Sequence, residues 1–114
     1  MKSIHLVVAL FIVIALSAGQ LLFKLSASAY QQGEGLMSVE ALTYVGIGLT
    51  IYAVATVAWI WLLQFLPLSI AYPVMALAFV IVPFGSAFFL GESLSARTVI
   101  GALLIVVGVA ISAT

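Results

Sequence analysis

LPLSIAYPVMALAFVIVP, residues 66–83, holds all three prolines of the chain in a stretch that is otherwise almost wholly apolar. Proline removes a backbone donor, and its ring pushes against the carbonyl four residues earlier, at about 3 kcal/mol in a helix in water. In hydrocarbon the freed carbonyls must find partners inside the protein, so an interrupted helix there belongs against protein or a wet cavity. Whether this stretch lies in water or in lipid therefore decides the fold.

The rest of the chain answers the question. Of 114 residues, 67% are hydrophobic and 5% charged, with a mean hydropathy of +1.45. A soluble domain carries roughly 25% charged residues. Three basic and three acidic side chains are too few to cover a water-exposed surface. The class is integral membrane. A formal net charge of zero and no basic patch argue against nucleic-acid binding. With no cysteine and one histidine, neither a disulfide framework nor a metal site of the usual ligand type is expected. MKSIHLVVALFIVIALSAGQ (1–20) has the basic start and apolar run of a secretory signal. Apolar sequence continues through LLF (21–23), so we expect an uncleaved first span.

Crossing the hydrocarbon takes about 20 apolar residues as a helix. Four segments qualify: about 4–30, 41–66, 69–90 and 96–113. The expected architecture is all-α, four antiparallel transmembrane helices in one integral membrane domain, 1–114. QQGEGLMSVE (31–40) is the one polar loop, with Ser38 placed to cap the second helix and Glu40 favourable in its first turn. Leu66-Pro67-Leu68 makes a tight turn. GESLS (91–95) makes the last, with Gly91 ending the third helix, Ser95 capping the fourth, and Leu94 and Val99 spaced as a staple. The even count puts both termini on one side. Lys2 lies there, against Arg97 and Lys24 towards the loop side, a near tie that leaves orientation open.

Lys24 is the most informative charge. It lies about six residues inside the end of the first helix, so roughly 9 Å deep. It either snorkels to the headgroups or faces a polar groove, where a compact cation attracts phosphate. Glu92 ends the third helix on the same side and is placed to balance it under either reading. Gln20 precedes Lys24 by one turn, on the same face. It either hydrogen-bonds a neighbouring helix or lines a head-group path. Trp59 and Trp61 read as an interfacial belt, with Tyr30 and Tyr44 at the opposite surface.

Pro73 leaves the Ser69 carbonyl without its helical partner, and Pro83 does the same for Phe79. We expect bends at both, hinges of a moving element, with a passive kink as the alternative. In the fourth helix Gly101 and Gly108 lie seven apart, and Ser112 four beyond. That face is expected to form a dimer seam; packing on this chain's own helices is the alternative. No carboxylate lies mid-span, and no phosphate-cradling glycine loop or nucleophile–base pair is present, so catalysis is not expected and no cofactor is called for.

GQLLFK (19–24), LPLSIAYP (66–73), LGESLS (90–95) and the glycine heptad of the last helix, in this order, resemble the small four-helix members of the drug/metabolite transporter (EamA/SMR-like) superfamily. The resemblance covers nearly the whole chain and implies a dimer of eight helices. In the small multidrug resistance branch, exporters of organic cations or metabolites, a glutamate lies eight residues before the lysine and a tryptophan three after the tyrosine. Here those positions are Leu16 and Met75. The chain looks closer to the flippase subunits for undecaprenyl-phosphate aminoarabinose (ArnE/ArnF type). That resemblance implies movement of a polyprenyl-phosphate-linked sugar across the bacterial inner membrane ahead of lipid A decoration, by a homodimer or a heterodimer with a similar subunit. Lys24, Gln20, Tyr72, Glu92 and Arg97 would bind the substrate. The multidrug-type exporter, with Glu92 as its acid, is the alternative.

Overall fold

The computed structural model describes residues 2–29, 31 and 39–113, the side chain of Lys2 excepted. The described residues form five helices: α1 Lys2–Ala29, α2 Val39–Leu62, α3 Leu68–Met75, α4 Ala78–Leu90 and α5 Ala96–Ala113. α3 and α4 are the halves of one span, so four stretches are long and apolar enough to cross a membrane: Ser3–Ala29, Val39–Leu62, Leu68–Leu90 and Ala96–Ala113. Tyr30 and the loop with its expected Ser38 cap lie outside the described residues, although Glu40 does sit in the first turn of α2.

α1 and α2 pack along a seam of small residues. The buried residues of α2 are Ala41, Gly48, Ala55 and Leu62, a strict heptad that keeps one face on its partner. The glycines make the fit reciprocal. A Cβ on Gly19 of α1 would stand 2.7 Å from the Tyr52 ring of α2, and one on Gly48 of α2 would stand 2.7 Å from the Phe23 ring of α1. Each helix thus lends an aromatic side chain to the other's gap, and the two rings meet with centroids 5.4 Å apart. Close approach of this kind drives association where lipid supplies no hydrophobic force. Ser26 Oγ donates across the seam to the Ala41 carbonyl at 3.0 Å, and the buried Ser17 Oγ is satisfied within α1 by the Val13 carbonyl at 2.8 Å.

The second helix ends four residues earlier than the apolar run suggests. Residues 63–66 form a turn, with Gln64 N–H donating to the Trp61 carbonyl and Phe65 N–H to that of Leu62, three residues back. Pro67 is the cause, because a proline drives the preceding residue out of helical geometry. The turn is held from α1, where the His5 ring stacks on Phe65 at 4.5 Å and tilts against Trp61 at 6.4 Å. Ala9, Ile12 and Val13 of α1, Ala55 and Leu62 of α2, Leu66 of the turn, and Ala71 and Val74 of α3 close the core at this end.

The third span differs from expectation. It is broken at Ala76 and Leu77, between the two prolines rather than at either. Around the break N–H groups bond three residues back: Ala76 to Pro73, Leu77 to Val74, Phe79 to Ala76 and Val80 to Leu77. These tighter turns let the chain accommodate both rings. Pro73 donates no bond of its own, and Pro83 crowds the turn before it. Beyond the break α4 rests on α1 through Gly85, whose added Cβ would lie 3.1 Å from Leu21. Gly91 ends α4 in the left-handed region at φ 74°, its N–H donating to Ser86, as expected of a C-terminal glycine. Ser95 caps α5, accepting the Thr98 N–H at 3.1 Å.

Candidate functional site

The break and the α1–α2 pair enclose a groove of about 530 Å³, within the range of small-molecule sites. Leu16 and Gln20 come from α1, Tyr52 from α2, Tyr72, Pro73 and Met75 from α3, and Phe79, Val82 and Pro83 from α4, with Ala76 and Ala78 at the break. Three of these side chains are polar: Gln20, Tyr52 and Tyr72. Gln20 Nε2 donates to the Tyr52 hydroxyl at 2.7 Å. That bond uses one of the two amide hydrogens, so the pair can still donate through the other amide hydrogen and the phenolic hydrogen, and accept at the amide oxygen. Tyr72 and Phe79 are exposed, and they leave the groove open on one side.

Lys24 is not part of the groove wall. It stands one turn beyond Gln20, with Nζ 3.6 Å from Glu92 Oε2, and both side chains are about half exposed. The pair ties the end of α1 to the residue after the Gly91 cap of α4. At this separation the two charges attract without a tight charge-assisted hydrogen bond, which closes to about 2.7–2.9 Å. The ammonium stands beside the groove wall and is balanced by Glu92, the pairing expected under either reading of Lys24. Arg97 lies in the first turn of α5, exposed, outside the groove lining and without an ion pair among the described residues.

The structure thus brings Gln20 and Tyr72 together in one groove and Lys24 and Glu92 together in one pair, and leaves Arg97 apart from both. The expected hinge residues Pro73 and Pro83 flank the break and line the groove. Tyr52 is the residue that sequence reasoning missed. Both positions where the chain departs from the multidrug branch, Leu16 and Met75, line the same groove. An apolar residue stands at each, and no carboxylate belongs to the wall.

α5 packs on α3 and α4, and its glycine face is uncovered. An added Cβ on Gly101 or Gly108 meets nothing within 4 Å, and Ser112 is exposed. Packing on this chain's own helices does not account for that face.

Four spans and an open groove between a fixed pair and a broken helix describe a membrane transporter, and the chain belongs to the EamA-like transporter family, whose profile matches residues 1–114. Its relatives narrow the class. It is 39% identical over 101 residues to a protein of Sodalis glossinidius, covering 88% of this chain and 89% of that one. That relative is named "Probable 4-amino-4-deoxy-L-arabinose-phosphoundecaprenol flippase subunit ArnE". A protein of Yersinia pseudotuberculosis with the same name is 32% identical over 91 residues, 80% of each chain. No solved structure matches. The chain is a multi-pass transporter of the flippase type in the bacterial inner membrane, and not an enzyme.

Proposed function

We propose that the chain is a subunit of a flippase that carries a polyprenyl-phosphate-linked aminosugar across the inner membrane. The observation that carries this reading is the composition of the site. A largely apolar groove offers three hydrogen-bonding side chains, Gln20, Tyr52 and Tyr72, and a half-exposed Lys24–Glu92 pair stands one turn away. An isoprenoid lipid with a sugar-phosphate head needs both environments. Lys24 takes the phosphate, with Arg97 as a second cation when the subunits move. Gln20, Tyr52 and Tyr72 bond the sugar hydroxyls, and Glu92 the amino group. The span bends at its break, with Pro73 and Pro83 keeping the two halves from fusing into one rod, and access alternates as one half rocks. The uncovered Gly101, Gly108 and Ser112 face meets a second copy or a similar subunit.

No carboxylate lies in the groove wall to trade a proton for a cation, which favours movement of the lipid down its own gradient. For the same reason a multidrug-type exporter is the weaker reading, since Glu92, its remaining acid, already faces Lys24. Transport of the labelled lipid in reconstituted vesicles tests the assignment. Lys24→Ala is expected to lower the rate by about tenfold or more and Gln20→Ala by severalfold. Unchanged rates in both proteins would reject these residues as the site.

A further inference from the structure

We propose that the Lys24–Glu92 pair selects the head group by exchanging partners with it, admitting zwitterionic heads and rejecting those with phosphate alone. This rests on the flippase reading above and assigns the pair a task within it. The pair joins the two elements that border the groove, the end of α1 and the end of α4. It lies one turn from Gln20 on the side nearer the membrane surface, where a lipid head enters. At 3.6 Å, with both side chains about half exposed, neither charge is consumed by the other. Three ammonium hydrogens and two carboxylate oxygens remain open to a ligand.

The charge pattern sets the rule. A phosphodiester that approaches Lys24 also approaches Glu92, because the two stand side by side, and its negative charge displaces the carboxylate from the lysine. If the sugar carries an ammonium group, that group takes the carboxylate, and one internal pair becomes two pairs to the ligand. If the sugar is neutral, Glu92 is left beside a second anion with no cation to share, and binding suffers from like-charge repulsion. Glu92 is well fixed for this role. It follows the left-handed cap at Gly91, and its own N–H donates to the Ser86 carbonyl at 3.3 Å. A pair whose members satisfy each other between cycles also spares the empty site a lone charge near lipid. The site is net neutral, and so is the lipid it accepts.

The test compares two undecaprenyl phosphate lipids, one with an aminopentose head and one with the same pentose bearing a hydroxyl in place of the amine. Binding is measured to the protein purified from membranes in detergent. The wild type is expected to prefer the amino lipid by about tenfold or more. Glu92→Gln should remove that preference by weakening the amino lipid and tightening the hydroxyl lipid. Lys24→Gln should weaken both. Exchange of the two charges, Lys24→Glu with Glu92→Lys, should restore a measurable share of the preference and controls for loss of fold. A preference that survives Glu92→Gln, or a uniform drop for both lipids in that protein, overturns the partner exchange while leaving the flippase reading in place. A wild type that binds neither lipid overturns the flippase reading, and the exchange with it.

Discussion

α1 with α2, and the broken span with α5, are built on opposite plans. The first pair is interlocked: a heptad of buried residues, two glycines each filled by the other helix's ring, and a serine bonded across the seam. In the second region burial is confined to Ala71 and Val74 of α3, packed on the first pair, and Ala102 of α5; α4 has no buried residue, and the span is broken between its two halves. Packing density separates a frame from a moving part, since elements with few buried contacts open most easily. The groove lies along the boundary, and the Lys24–Glu92 pair and the Gly85–Leu21 contact are among the links across it towards the end of α4.

Substitutions that move bulk between the two regions probe this contrast. The largest effect is expected at Gly48→Leu, where the first added carbon already overlaps the Phe23 ring; overpacking should cost about 3 kcal/mol, read from unfolding in detergent. Gly46→Leu, where an added Cβ meets nothing within 4 Å, should change the same midpoint by less than about 0.5 kcal/mol. Equal losses at the two glycines would break the idea of an interlocked frame. An intermediate effect is expected from Pro73→Ala combined with Pro83→Ala. Two restored donors favour one continuous helix, and transport should fall about tenfold while stability holds or rises. Full activity with a slower-exchanging, continuous span would show that the break serves packing alone. The smallest effect on the fold should come from Gly101→Leu with Gly108→Leu, within about 0.5 kcal/mol of the parent midpoint. Cross-linking between subunits should be lost in the same protein, and its persistence would move the seam elsewhere.

The spans, the Gly91 and Ser95 caps and the stop at Pro67 were legible because each rests on local chemistry, although α2 itself ends at Leu62, four residues short of the expected limit. The break at Ala76 and Leu77 was not. A proline is visible in sequence at its own position, but its clash and its missing bond act a turn earlier, and two prolines leave the choice of site to packing against α1. Tyr52 was legible in principle. Partners in a helical hairpin lie equally far from the middle of the link, and a link centred near residue 34 puts Gln20 opposite about residue 48, one turn from Tyr52. The groove needed three dimensions. Leu16 and Met75 were singled out as departures from a related branch, but that both face one cavity follows from the way α3 leans on α1. Lys24 and Glu92 were expected on one side of the membrane, and their distance was beyond sequence.

The links between spans have a further consequence. Residues 63–67 and 91–95, five in each, connect the last three spans, and nine residues, 30–38, connect the first two. The two five-residue links leave little backbone outside the bilayer between those spans. Between those spans the surface on offer is the apolar flank of the helices, reached laterally within the plane of the bilayer and read by shape among acyl chains.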